Sequence, residues 1–340
     1  MSSPKSVPSR KSGPALAKPF MKWAGGKGQL LERLGALFPK GLADGSIHTY
    51  AEPFLGGGAM FFHLMQRFPL KAAYLVDANE ELVLAYSVVQ RDPEALIAEL
   101  KRMSAAFLKL DMEARKERYL KVRSAFNREK PLLDFRKYTA SSWVKRAAHI
   151  LFLNKTCYNG LFRVNRSGEF NVPFGRYANP TIVDVDNLRS ASAVLARSAV
   201  RIRLGDFGDL ASLGAGSKGA GAHGVRADGG ILKPGSFVYY DPPYLPISPT
   251  ASFTAYSKGA FGKDEQRRLA GLFKSLDRPG VFQMLSNSDP KNEDPSNDFF
   301  EDLYSEYRGR IFRVPASRSI NSDPARRGRI NEIVITNYKP

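Results

Sequence analysis

Three glycines, Gly56-Gly57-Gly58, stand between the strand end Ala51-Glu52-Pro53-Phe54-Leu55 and the apolar, helix-compatible Met60-Phe61-Phe62-His63-Leu64. A strand that turns directly into a helix belongs to an α/β unit, and glycines at the turn let backbone approach a ligand closely. Nineteen residues after Gly58, the strand-like Ala73-Tyr74-Leu75-Val76 ends in Asp77, where a carboxylate can hold the vicinal hydroxyls of a ribose. This is a nucleoside-binding layout with Gly56 and Asp77 as candidate ligand contacts. Taken alone it also fits a dinucleotide enzyme, or a plain glycine turn. The Gly-x-Gly-x-x-Gly fingerprint is not met, because Phe61 occupies the third glycine position after Gly56 and Gly58. That favours a cofactor without phosphate.

A second motif supplies the chemistry. Asp241-Pro242-Pro243-Tyr244 follows the apolar run Phe237-Val238-Tyr239-Tyr240, so a carboxylate, a carbonyl and a ring share one strand end. The Asp241 carboxylate and the Pro242 carbonyl can both accept hydrogen bonds from an exocyclic amine, and Tyr244 offers a stacking face. The lone pair of an aromatic amine is delocalised into its ring. Two acceptors aimed at its hydrogens favour the pyramidal nitrogen of a methyl-transfer transition state over the planar ground state. The prolines fix φ and bias the residues before them toward extended backbone, which pre-aims both acceptors. A proline-rich turn closing a buried strand is the plainer alternative.

Near the N-terminus, Phe20-Met21-Lys22-Trp23-Ala24-Gly25-Gly26-Lys27 precedes an amphipathic helix carrying Leu30, Leu31, Leu34 and Leu37. It is not a Walker motif: Met21 and Gly28 stand where the first glycine and the Mg²⁺-binding hydroxyl belong. A lysine beside a carboxylate-bearing cofactor makes better sense of Lys27, with a core tryptophan and a solvated cap as the alternative for Trp23 and Lys27.

In this order, these motifs resemble the Dam-type, D12-class DNA adenine-N6 methyltransferases, whose cofactor motif precedes the target-recognition region and whose catalytic motif follows it. The likeness covers residues 18–340. It rests on Lys22 to Lys27, Glu52-Pro53-Phe54, Asp77 with Asn79, Tyr158-Asn159-Gly160-Leu161, Gly168 to Tyr177 and Asp241 to Tyr244. Phe253-Thr254-Ala255-Tyr256, Leu285 to Asp289 and Arg318-Ser319-Ile320 resemble the C-terminal half. The resemblance implies S-adenosyl-L-methionine as cofactor, held by Trp23, Lys27, Phe54, Asp77 and the catalytic Asp241, with Asp206 and Phe207 near its adenine. No covalent enzyme intermediate is needed. The single cysteine, Cys157, follows Thr156 rather than the proline expected of a cytosine-C5 enzyme, and reads as structural.

Charge points to a polyphosphate partner independently of any motif. The 51 Lys+Arg exceed the 33 Asp+Glu, for a net charge of +18, which predicts salt-sensitive nucleic-acid binding by counterion release. Between Arg308 and Arg329 seven arginines accompany one acid, Asp323, and between Lys155 and Arg176 four basic residues interleave with Tyr158, Phe162, Phe170 and Phe174. The second stretch reads as a β-hairpin, Leu161 to Val164 and Glu169 to Val172 about a turn at Asn165-Arg166-Ser167-Gly168. Such a basic ribbon fits the major groove. In the family the matching hairpin reads GATC through the residues aligned with Leu161, Arg163 and Pro173. Tyr158 and Asn159 then intrude at the flipped-base site, and Arg176 and Lys22 are further DNA contacts. Because the target amine lies inside the duplex, the adenine must swing out, and Tyr244 then stacks on it.

The fold expected is a Rossmann-like, mostly parallel α/β sheet with an inserted helical plus β-hairpin target-recognition domain. Candidate strands after the insertion are Val200 to Leu204, Phe237 to Tyr240, Val281 to Leu285, Ile311 to Val314 and Ile330 to Asn337. Residues 1–17 read as a disordered basic tail, 18–85 and 191–340 as the cofactor-binding catalytic domain, and 86–190 as the recognition domain. Residues 208–235 hold nine glycines and read as a flexible surface insertion. His48, His63, His149 and His223 share no ligand spacing with Cys157, so no metal is expected. No apolar stretch is long enough for a membrane span, and no targeting signal is present. A cytoplasmic, nucleoid-associated enzyme of bacterial or phage origin is expected, working on double-stranded DNA alone or beside a separate cognate restriction endonuclease. The competing readings are a methylase of cytosine N4 or of an RNA base, and a DNA-binding protein that keeps the fold without turnover.

Overall fold

The computed structural model describes residues 16–197, 199–214, 232–245, 261–317 and 329–340. Seven strands, β1 (Thr49–Glu52), β2 (Ala72–Asp77), β3 (Val200–Leu204), β4 (Ser236–Tyr240), β5 (Val281–Ser288), β6 (Ile311–Ser317) and β7 (Arg329–Thr336), form one sheet in the order β3-β2-β1-β4-β5-β7-β6. Neighbours from β3 to β5 pair in parallel, and β7 runs antiparallel to both β5 and β6. Period-two alternation assigns the side chains. Phe237 and Tyr239 of β4 enter one core while Val238 and Tyr240 enter the other, and Tyr50 and Ala51 of β1 divide the same way. A central strand buried on both faces must be apolar throughout, which is why Ser236–Tyr240 shows no polar alternation.

The helices are α1 (Leu31–Gly35), α2 (Gly41–Asp44), α3 (Ala59–Arg67), α4 (Glu80–Arg91), α5 (Pro93–Leu108), α6 (Met112–Glu129), α7 (Ala140–Thr156), α8 (Val185–Leu195), α9 (Asp209–Gly214), α10 (Lys263–Ser275) and α11 (Phe299–Leu303). Their starts are written in the sequence. The Asn79 side chain accepts from the backbone N–H of Glu81 and Leu82 at 3.1 Å each to cap α4, Asp111 caps α6 by accepting from Ala114 at 2.9 Å, and Pro93 opens α5. The helix expected across Leu30 to Leu37 is shorter: a 3₁₀ turn at Lys27–Gln29 leads into α1, which closes at Gly35 shortly before Pro39.

From β1 the chain builds outward to β2, passes through the α4–α8 region to reach β3, and then runs by way of α9 to β4 on the other side of β1. The crevice at the carboxyl ends of β1 and β4 is therefore the switch point where open α/β sheets bind ligands. Helix α7 packs against α4, α5 and α6, so the inserted helices share a core with one face of the sheet.

The expected hairpin is reduced to one bridge, Val164 with Phe170. Asn165 N–H donates to Glu169 O at 2.8 Å and Asn171 N–H to Arg163 O at 3.2 Å, with Gly168 closing the turn onto Asn165 O at 2.9 Å. The reason lies in α6. Asn127 accepts from Phe170 N–H at 2.8 Å and donates to Phe170 O at 3.0 Å, while Tyr119 donates to Val172 O at 2.7 Å. The backbone of the second arm is satisfied by helix side chains instead of a ladder.

The basic tail up to residue 15, the centre of the glycine-rich insertion (215–231), Phe253 to Tyr256, Arg318-Ser319-Ile320 and the rest of the arginine run to 328 lie outside the described residues.

Candidate active site

At the end of β2, Asp77 closes the glycine loop onto the sheet. Its two carboxylate oxygens accept from Gly56 N–H at 2.9 Å and Asn79 N–H at 2.8 Å. Burial nevertheless pushes its pKa from 3.8 up to about 6, those two hydrogen bonds opposing the shift. Gly58, with φ of 69°, turns the chain into α3, and a Cβ there would strike the Tyr86 hydroxyl. That close approach demands glycine. Trp23 lies against Gly56 and Gly57 on one side and stacks on Phe162 of the inserted segment on the other, with ring centroids 5.3 Å apart.

Beside this loop, Phe54, Phe207 and Phe261 form an aromatic cluster with centroids 5.3 to 5.8 Å apart. Arg268 lies 3.8 Å over Phe207 and grips Asp206 with both terminal nitrogens, at 2.6 and 2.8 Å. The guanidinium holds the Asp206 carboxyl below its ordinary range.

The end of β4 carries the densest charge. Lys27, only 3% exposed, places Nζ 2.6 Å from Asp241 Oδ1, 3.0 Å from Gly25 O, 4.7 Å from the Tyr244 ring and 4.0 Å from Glu332 Oε2 on β7. Ser286 of β5 donates to Asp241 Oδ1 at 3.5 Å and shares a 2.7 Å hydrogen bond with the Tyr239 hydroxyl. Burial raises the Asp241 carboxyl above its usual value, with Lys27 opposing the shift. Glu52, between this centre and Asp77, is raised much further by burial, and the charges of Asp241 and Asp77 add to it. Pro242 is buried and Tyr244 half-buried. Gln266 of α10 donates to Pro243 O at 3.4 Å and accepts from Asn287 at 3.3 Å, bracing the turn.

The DNA-facing candidates gather on the inserted segment. Asn154 binds Lys22 backbone in both directions, at 2.9 and 3.0 Å, and donates to Gly160 O at 2.9 Å, so the N-terminal motif and the Tyr158-Asn159-Gly160 turn are one unit. Tyr158 is 54% exposed, and its N–H donates to Pro173 O at 2.9 Å. Asn159 and Arg176 adopt left-handed backbone, φ 57° and 51°, and Asn159 N–H donates to the Tyr177 hydroxyl at 2.9 Å. Arg163 is exposed and held by Asn171, Nε to Oδ1 at 2.9 Å, a bond that uses one of its five donors. Leu161 is half-buried, and its carbonyl accepts from the Cys157 thiol at 3.2 Å. Burial pushes that thiol up to about 11, as suits a structural cysteine.

The sequence matches the D12 class N6 adenine-specific DNA methyltransferase family over residues 23–215 and 227–320. It is 45% identical over 322 residues to the type II methyltransferase M.MjaIII of Methanocaldococcus jannaschii, covering 94% of this chain and 99% of that protein. It is 37% identical to M1.LlaDCHI of Lactococcus lactis, over 94% and 95% of the two chains, and 30% identical to the DNA adenine methylase of Escherichia coli K12, again over 94% and 95%. The chain belongs to the D12 class of N6 adenine-specific DNA methyltransferases. It is an adenine-specific DNA methyltransferase, with the α/β fold expected of one.

In this methyltransferase several site residues escape motif reading. Glu332 on β7, Gln266 and Arg268 on α10, and Phe261 just before α10 reach the site from far along the chain, and no local spacing announces them. Glu332 and Gln266 carry one usable signal, a polar side chain inside an otherwise apolar periodic face. Among the described residues no group of three or more His, Cys, Asp or Glu side chains is arranged to hold a metal, and no helix is long and apolar enough to cross a membrane.

Proposed function

We propose that the chain transfers a methyl group from S-adenosyl-L-methionine to N6 of an adenine flipped out of duplex DNA, within GATC. The observation carrying this reading is the Lys27–Asp241–Tyr244 centre at the switch-point end of β4. Asp241 and Glu332 both face one ammonium, Lys27, a surplus of carboxylate that suits a cationic sulfonium cofactor. The cofactor supplies the electrophilic methyl group. Gly56 and Asp77 would hold its ribose, Trp23 and Lys27 its methionine end, and the Phe54 and Phe207 rings with Asp206 its adenine.

On the substrate side, Tyr244 stacks on the base, and Asp241 with the Pro242 carbonyl accept the two amine hydrogens. The pair draws the nitrogen lone pair out of conjugation, stabilising the attacking geometry. Arg163 reads guanine O6 and N7, Leu161 and Pro173 pack on neighbouring bases, Tyr158 and Asn159 fill the flipped-base space, and Lys22 and Arg176 bind phosphate. Residues 18–85 and 191–340 act as the catalytic domain and 86–190 as the recognition domain. The likeness to two type II methyltransferases favours a cognate restriction endonuclease acting separately.

The test is transfer of labelled methyl to a duplex holding one GATC, against the same duplex with those four bases permuted, at fixed salt. Label on the first alone, recovered as N6-methyladenine, is expected. Equal label on both would discard the specificity assigned to Arg163, and no label on either would discard the proposed reaction.

A further inference from the structure

The Lys27–Asp241 contact has a consequence for turnover. With Oδ1 held 2.6 Å from an ammonium, Asp241 still has Oδ2 to offer an amine, but the neighbouring positive charge makes the carboxylate a weaker acceptor, so the productive state is favoured when Lys27 gives up part of that contact. Lys27 is 3% exposed, and a buried ammonium that loses its counter-ion without gaining another is strongly disfavoured. Besides the carboxylate of a bound cofactor, one acceptor of this chain lies within a side-chain rotation of Lys27.

Glu332 is that acceptor. It lies on β7, paired with Ser288 of β5 and Val314 of β6, so its backbone is fixed by ladders on both sides. Its Oε2 is buried, makes no hydrogen bond among the described residues, and faces Lys27 Nζ at 4.0 Å. The Tyr244 hydroxyl is likewise buried, makes no close hydrogen bond among the described residues, and has the Glu332 carboxyl as its polar neighbour. Buried polar groups left unsatisfied in a folded chain call for a role. Resting on the function proposed above, we infer that Glu332 is a positioning residue that takes over the Lys27 ammonium as Asp241 turns to the adenine amine. No bond to carbon is made or broken in this exchange. One ammonium moves between two carboxylates.

The groups facing this exchange are Tyr50 and Glu52 from β1, Tyr239 and Asp241 from β4, Tyr244 after it, Ser286 from β5, and Lys27 itself. Burial raises the Glu332 carboxyl, with Lys27 opposing and Asp241 adding to the shift. Removing the Glu332 charge leaves Lys27 committed to Asp241, which lowers the pH at which Asp241 ionises and traps it away from the substrate.

The experiment compares wild type, Glu332→Gln and Glu332→Asp on one GATC duplex in single turnover across pH, each below its melting temperature. For Glu332→Gln the rate should fall roughly tenfold or more, the KM for DNA should stay within about twofold, and the acid limb of the pH profile should move to lower pH. Glu332→Asp should restore the position of the limb. A wild-type rate and profile for Glu332→Gln, or a slower rate with an unmoved limb, would overturn the inference. If Glu332→Gln fails to fold, Glu332→Asp is decisive: a reduced rate with the wild-type limb is expected, and a full wild-type rate would overturn the inference.

If wild type transfers no methyl at all, the proposed function falls by itself. The inference is then read from the Lys27 Nζ resonance of lysine-labelled protein: two carboxylate inflections in wild type and one in a Glu332 variant are expected, and identical titrations would overturn it.

Discussion

Among the described residues, the ion pairs Arg146–Glu81 and Lys27–Asp241 are built to opposite specifications. Arg146 of α7 and Glu81 of α4 are 1% and 4% exposed, and each guanidinium nitrogen donates a hydrogen bond. The guanidinium bonds both Glu81 oxygens and the Phe126 carbonyl, and lies 3.4 Å over the Phe126 ring. Lys27 and Asp241 touch through one oxygen, and beside them the Glu332 Oε2 and the Tyr244 hydroxyl make no close hydrogen bond among the described residues. The first arrangement has one low-energy state and fixes how the inserted helices sit on α4. The second is incomplete by itself, as a site that must accept a polar ligand has to be.

The comparison breaks most visibly at the structural pair. Arg146→Ala leaves Glu81 buried and uncompensated, and should cost about 3–5 kcal/mol of stability while the molecules still folded methylate at the wild-type rate. Chemical denaturation and single-turnover assays check both halves. A variant with wild-type stability would erase the distinction between the pairs.

Asp77 sharpens it from the other side. Its pKa rises from 3.8 to about 6 on folding, so the folded state prefers the protonated carboxyl. The stability this contributes is complete below pH 3.8 and lost as pH climbs through 6. The loss is at most about 3 kcal/mol by neutral pH, less to the extent that solvent reaches the half-buried side chain. Asp77→Asn removes this dependence but also one acceptor for the Gly56 and Asn79 N–H groups. Wild type should therefore lose stability relative to Asp77→Asn between pH 4 and 6, and the variant should bind S-adenosylmethionine more weakly. Parallel stability curves would contradict the burial of this charge.

Arg163 represents a third arrangement, exposed and pre-aimed. Arg163→Ala should leave melting unchanged and relax discrimination at one base by about 1–3 kcal/mol, measured as the ratio of rates on matched and single-mismatch duplexes. The smallest effect belongs to the seam between the two regions. Trp23→Ala removes the stack on Phe162 and should cost about 0.5–1.5 kcal/mol beyond the lost buried area, separable in a double-mutant cycle with Phe162→Ala.

What the sequence discloses follows from how local each signal is. The glycine loop, Asp77 and Asp241-Pro242-Pro243-Tyr244 are contiguous or spaced within one βαβ unit, and they fall at the switch point of the sheet. All five strands expected after the insertion exist, because alternation and apolar runs are short-range. The hairpin was only half legible: its turn is encoded at Asn165 to Gly168, but its second arm pairs with Asn127 and Tyr119, some 40 to 50 residues earlier. Glu332 was legible only as a polar break in an apolar strand face, because its place beside Lys27 comes from the pairing of β7 with β5.

The claim that the under-satisfied pair is the reaction centre is tested most directly by Asp241→Asn. The change keeps the shape of the side chain and presents an N–H where the adenine amine needs an acceptor. Single-turnover methyl transfer should fall by about a hundredfold to a thousandfold or more, while the melting temperature stays near that of wild type. Transfer at the wild-type rate would contradict the account.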